Sequence, residues 1–313
     1  MPRSFHAPGK ARNDARSKTQ SKSGRHTETR KGEIVNQLET SCLLTTASFL
    51  AGFLGALSGL GGGVVIVPLL VLGFGADIHY AMGASLVSVI ATSSGAAAAY
   101  VREGISNIRI GMFLEIATTA GAIVGAILAA YSPTRILAVI FGGVLLYSAG
   151  MSVRNKRLAR ADGPPDRFAH MLRLDGAMPV DGEWVPYRTR RVPLGFGLMF
   201  LAGNLSGLLG IGSGAVKVLA MDEAMEIPFK VSTTTSNFMI GVTAAASAGV
   251  FLSRGYILPS LAMQVTLGVL AGSVLGARFL TQAKVQTVRI IFAMVIAALG
   301  VEMIFNAFTG RIS

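Results

Sequence analysis

The chain has 313 residues, 51% hydrophobic and 14% charged, and its mean hydropathy of +0.57 lies above the range of a soluble globular domain. The net charge of +12 rests on basic residues gathered in two polar stretches, 1–32 and 154–191, rather than on one folded face, which argues against a nucleic-acid surface. One cysteine, Cys42, excludes an intrachain disulfide, and four histidines leave little material for a metal site.

Residues 1–40 read as a disordered basic cytoplasmic tail. Asp14, Glu28 and Glu33 and the lack of an apolar face distinguish it from a transit peptide, and the apolar stretch that follows is too long for a secretory signal. A first membrane domain, 41–153, holds charge-free stretches at 41–76, 80–101, 110–134 (interrupted by Glu115) and 136–153. The polar linker 154–191 carries Pro164, Pro165, Pro179, Pro186 and Asp-Gly pairs, with a hairpin expected around "VDGEWVPY". A second membrane domain, 192–310, holds stretches at 192–216, 231–253, 255–277 and 290–310, the last interrupted by Glu302.

Each stretch is long enough to cross a hydrocarbon core, which takes ~20 helical residues. The expected fold is an all-α polytopic membrane protein: two homologous four-helix repeats, about eight spans, with glycine-broken helices. Four crossings per half put both termini and the basic linker on one side, the cytoplasm. If each glycine segment made a full extra crossing, the halves would have five spans and opposite orientations and the basic linker would face outward, which the positive-inside rule argues against.

The repeat is legible as one gapless offset of 151 residues, which pairs Gly52 with Gly203, Gly61 with Gly212, Gly63 with Gly214, Ser85 with Ser236 and Gly121 with Gly272. Two repeats in one membrane chain suit a secondary transporter with its site at the repeat interface. "GAIVGA" at 121–126 and "GSVLGA" at 272–277 read as close helix packing.

Glycine is costly inside a helix, so Gly61, Gly62 and Gly63 point to a break in a segment too long for one crossing. Unwound backbone is tolerated in a membrane where it is buried in protein or lines a cavity. A half-helix starting at such a break presents free N–H groups and a positive dipole end, which suits an anion. The second copy, "SGLLGIGSGAVKVL", supplies Gly212, Ser213 and Gly214, with Lys217 about a turn further on. Ser85, Thr235, Ser236 and Asn237 are secondary candidates. Glu115 and Glu302 suit either a proton relay or pairing with a basic residue near an interface, and their counterparts at the offset are Thr266 and Met151.

These residues resemble the TauE/SafE (sulfite exporter) family. Its pattern of G-x-G-G-G, an apolar run ending in proline and a Thr-Ser pair opening the next span is similar to "GLGGGVVIVPLL" (Gly59 to Leu70) with "GASL", and to "GLLGIGSG" (Gly207 to Gly214) with "TTTSNFMIG". The sequence departs from the pattern at Ala84, Ser213 and Leu219. The resemblance implies a permease for a small anion such as sulfite or an organosulfonate in a bacterial inner membrane.

The expected partners are therefore a small anionic substrate and the lipid bilayer, with no nucleic acid and no cofactor; a homo-oligomer is compatible with the sequence. No nucleotide-binding spacing occurs in "GIGSGAVK". An intramembrane serine enzyme lacks a histidine inside a span, so no catalytic residue is expected. A non-transporting membrane scaffold is the alternative reading.

Overall fold

The computed structural model describes residues 39–55, 62–102, 106–153, 166–180, 183–212, 214–280 and 285–310. Most of the basic tail, residues 154–165 of the linker, Gly61 and Ser213 lie outside the described residues. The chain divides into two compact units, Met1–Leu44 and Thr45–Ser313.

Helix α1 covers residues 39–55. A short α2 (Gly63–Pro68) runs directly into a π-helical turn (Leu69–Gly73), followed by α3 (Ile78–Arg102), α4 (Ile108–Tyr131) and α5 (Thr134–Val153). The linker contributes α6 (Arg167–Met171) and the strands β1 (Gly176–Val180) and β2 (Glu183–Tyr187), which pair antiparallel with Val180 opposite Glu183, forming the expected hairpin. Then come α7 (Val192–Leu209), α8 (Gly214–Leu219) with its own π-helical turn (Ala220–Ala224), α9 (Phe229–Ser253), α10 (Pro259–Leu280) and α11 (Val285–Phe308). The starts of α2, α3, α4 and α5 each lie 151 residues before those of α8, α9, α10 and α11.

Local chemistry sets several of these boundaries. Asn107 Oδ1 accepts from Ile110 N at 3.1 Å and caps α4. Asp166 serves two helices at once, one oxygen accepting from Phe168 N in α6 (2.9 Å) and the other from Val192 N in α7 (3.0 Å). Gly210, at φ +66°, closes α7 in the left-handed conformation that glycine adopts without cost. Proline does not explain the π turns: Pro68 precedes the first and Leu219 precedes the second, yet both form.

Among the described residues, five helices are long and apolar enough to cross a membrane: α4, α7, α9, the Pro259–Gly276 part of α10 and the Ile290–Phe308 part of α11. Two shorter apolar helices cover Gly63–Gly73 and Thr134–Gly150. Large apolar side chains stand exposed along them, including Met112 and Ile116 on α4 and Met263 and Leu267 on α10, as a lipid-facing surface requires.

The direction of each element follows from contacts at the two ends of the bundle. At one end, His79 Nε2 of α3 lies 3.2 Å from the Ala129 carbonyl of α4, and the Arg254 guanidinium beyond α9 stacks on Tyr131 at 4.5 Å. At the other, Asn107 N donates to Thr235 Oγ1 (3.0 Å) and Asn107 Nδ2 to Tyr187 Oη of the linker hairpin (2.8 Å). Arg190 N, just before α7, donates to the Met225 carbonyl just after the second π turn, at 3.0 Å. The chain therefore climbs α7, reverses through Gly210 and Gly212, and returns along α8 to the end it left. In the first half, Gly62 lies back against Gly52, so α1 and α2 reverse in the same way.

Among the described residues five of the expected spans are matched by helices long enough to cross, and the glycine segment of the second half returns through α8 rather than crossing onward. The linker hairpin sits at the end where α7 begins, whereas α11 finishes at the other end, where Gly310 lies beside Arg135. Charge-free stretch length cannot separate a crossing from a hairpin that returns, which is why the count differs.

Several helix pairs are held backbone to backbone, α4 with α7 and α1 with α10 among them. A methyl group on Gly121 or Gly125 would lie 2.1 or 2.0 Å from the carbonyl oxygens of Phe200 and Asn204, and one on Gly203 or Gly207 would lie 2.0 Å from those of Thr118 and Ala122. Thus α4 and α7 run parallel in direct contact. The same arrangement joins α1 and α10, where Gly268 meets the Thr45 carbonyl and Gly272 the Phe49 carbonyl. Small residues permit such approaches, and van der Waals and Cα–H···O contacts stabilise them in lipid.

Replacing Gly121 or Gly207 by Val is expected to abolish a monodisperse, heat-stable species in detergent, because backbone rather than a movable side chain occupies the space. Gly143 and Gly197 have open space around them, so Gly→Ala there should be neutral or stabilising by up to about 1 kcal/mol. Size-exclusion profiles and thermal midpoints distinguish the two classes.

Candidate functional site

The start of α2 meets the turn that precedes α8. A methyl group on Gly63 would lie 2.9 Å from Ser85 Oγ and 3.3 Å from the Ile211 Cα, so the start of α2 touches the turn that precedes α8. Gly212, at φ +75°, is wedged against Ile240 and Val89. Ser85 Oγ donates to the Gly63 carbonyl (3.5 Å) and Ser236 Oγ to the Gly214 carbonyl (3.3 Å), so each half ties its break to the helix that follows. Both serines are fully buried.

Of the other sequence candidates, Gly62 caps α2 with a helical backbone and packs on Gly52 and Val269. Thr235 accepts from Asn107 N and so ties α9 to the start of α4. Asn237 is half-buried on α9, and Gly61 and Ser213 lie outside the described residues.

Beyond the turn before α8, three side chains from three helices form a buried polar chain. Lys217 of α8 has no exposed surface, and its Nζ donates to Thr243 Oγ1 of α9. Thr243 Oγ1 in turn lies 2.7 Å from Glu115 Oε1 of α4 and 2.9 Å from the Met239 carbonyl, two acceptors for one hydroxyl proton. Thr119 Oγ1 donates to the same Glu115 oxygen at 3.0 Å. Glu115 Oε2 is buried without a hydrogen-bond partner among the described residues.

An isolated charge in so dry a place costs several kcal/mol, and an opposite charge nearby offsets much of it. Here the opposite charges are bridged by a hydroxyl rather than in direct contact. An ammonium carries three N–H donors, and Thr243 takes one; the other two have no partner among the described residues.

At the 151-residue offset the counterparts of Lys217, Thr243 and Glu115 are Ile66, Thr92 and Thr266, so the charged chain exists once. Thr92 bonds to carbonyls of its own helix, at Ser88 and Val89, and Thr266 Oγ1 is a buried hydroxyl without a partner among the described residues. Sequence reasoning picked out Lys217 but set Glu115 aside and passed over Thr243. The available signal was one acid and one base, each alone in an apolar helix; Glu302, the other such acid, is exposed on α11.

A bundle with lipid-facing flanks, paired reversing segments and a polar centre sealed within it defines a multi-pass membrane protein of the transporter class. The profile described as "Sulfite exporter TauE/SafE" matches residues 44–303, and the chain belongs to that family. Relatives include "Probable membrane transporter protein YunE" of Bacillus subtilis, 28% identical over 84% of this chain and 97% of the relative. "Probable membrane transporter protein YdhB" of the same organism is 27% identical over 76% of this chain and 89% of the relative. "Probable membrane transporter protein MJ0441" of Methanocaldococcus jannaschii is 23% identical over 84% and 94%. No solved structure matches the chain.

Gly212→Ala is expected to lower the thermal midpoint by the equivalent of about 1–2 kcal/mol, from the left-handed backbone alone, with Ile240 adding to it. Ser236→Ala should cost about 0.6 kcal/mol, the typical worth of one interhelical hydrogen bond in a membrane protein. Detergent melting curves of both variants check the order.

Proposed function

We propose that the chain is a secondary transporter of a small anion, sulfite or an organosulfonate, working by alternating access in a bacterial inner membrane. The observation that carries this reading is Lys217, a cation without exposed surface one turn into α8, two of whose N–H donors have no partner among the described residues. Sulfonate and sulfite oxygens match such donors in charge and geometry. Ser213 and Gly214 flank Lys217 in the sequence, and Gly61, Gly62, Gly63, Ser85, Gly212, Thr235, Ser236 and Asn237 complete the proposed site.

The two halves act as inverted repeats. Matching element starts at the 151-residue spacing and the opposite directions of α1 and α7 support this, and inverted repeats underlie rocking transport in many secondary transporters. The linker end faces the cytoplasm, because Arg102, Arg109, Arg190, Arg191, Lys230 and Arg289 sit at helix ends there, against Arg135 and Arg254 at the opposite end. The protein is not an enzyme in this reading.

The test is binding and counterflow with purified protein, using sulfite, methanesulfonate, isethionate and acetate. A sulfur oxyanion should exchange across wild-type vesicles, and Lys217→Met should weaken its binding at least tenfold. Wild-type affinity in Lys217→Met would remove the residue from the site, and no exchange of any sulfur oxyanion would remove the substrate class.

A further inference from the structure

We infer that Glu115 couples anion movement to a proton, so that each transported monovalent anion travels with one H⁺. The inference rests on the anion reading above and adds the identity of the coupling ion and its carrier.

The argument is one of charge balance in a sealed interior. With no anion present, the Lys217 ammonium is balanced by the Glu115 carboxylate through the Thr243 hydroxyl. A ligand anion that takes up the ammonium's remaining donors replaces that balance and leaves two negative charges beside one positive charge. Carboxylates crowded with another anion in a dry site do not both stay ionised. The buried Oε2 of Glu115, without a hydrogen-bond partner among the described residues, is the open seat for the proton.

No other group nearby takes this part. Helix α7, packed along α4, has no titratable side chain. The titratable residue of α9 besides its hydroxyls is Lys230, in its first turn at the linker end. Beyond Lys217, Asp222 and Glu223 belong to the π turn that returns to that end, and Glu223 is exposed. On α4 itself, Arg109 lies in the first turn, and Thr118 and Thr119 are hydroxyls. Among the described residues, then, Glu115 is the acid joined to Lys217.

The balance closes: one monovalent anion binds beside Lys217, one proton from water on the open side bonds to Glu115, and both are released on the other side. The net charge carried is zero. Transport should therefore respond to a pH gradient and ignore membrane voltage.

The experiment uses the full chain in proteoliposomes with labelled methanesulfonate or isethionate, which do not titrate between pH 5 and 8. In wild type, a gradient of one pH unit should accumulate the anion about tenfold on the alkaline side, and a potassium diffusion potential should leave that ratio unchanged. In Glu115→Gln the ratio should fall to about one. Purified wild type in weak buffer should also take up about one proton per sulfonate bound, a measurement that needs no variant.

Exchange of sulfonate that follows voltage rather than pH would overturn the coupling while leaving the anion reading in place. Equal pH-driven accumulation in wild type and Glu115→Gln would overturn the assignment to Glu115, and so would sulfonate binding without proton uptake. Absence of any sulfonate exchange by wild type would instead overturn the anion reading, and this inference with it.

Discussion

The direct backbone contact between α4 and α7 is what the centre of this protein depends on. Glycines at 121, 125, 203 and 207 let the two helices approach until carbonyl oxygens occupy the space a side chain would fill. That approach carries Glu115, from the first half of the chain, into the second half, where Thr243 joins it to Lys217. A side chain at any of these glycines would separate the helices, and the acid would lose its neighbours. The polar centre is thus a consequence of helix packing, and its charges are affordable because they are brought together from different halves.

Much of the scaffold was legible in the residues. The 151-residue offset seen in the sequence recurs between the starts of α2 to α5 and those of α8 to α11, and the "GAIVGA" and "GSVLGA" stretches were assigned to packing, where Gly121, Gly125 and Gly272 sit. The hairpin in the linker was expected from the prolines and Asp-Gly pairs around "VDGEWVPY". These features are local or periodic, and local features are what a single sequence carries most directly.

The path of the chain and the composition of the site were harder to read for a physical reason. A stretch of apolar residues has the same appearance whether it crosses or returns, so the reversal at Gly210 and Gly212 left no trace in hydropathy. The site also could not emerge from the repeat, because offset matching finds what the halves share. Lys217 against Ile66 and Glu115 against Thr266 are places where they differ. A search for mutual charge compensation among lone intramembrane residues would have joined Glu115 to Lys217 without any appeal to symmetry.

The crossed packing of α4 on α7 and of α1 on α10 also bears on how such a molecule is made. During synthesis, α1 and α4 enter the membrane before the helices they will touch exist, so the earlier half waits in lipid with its glycine faces open until the later half arrives. Neither half can complete its own contacts.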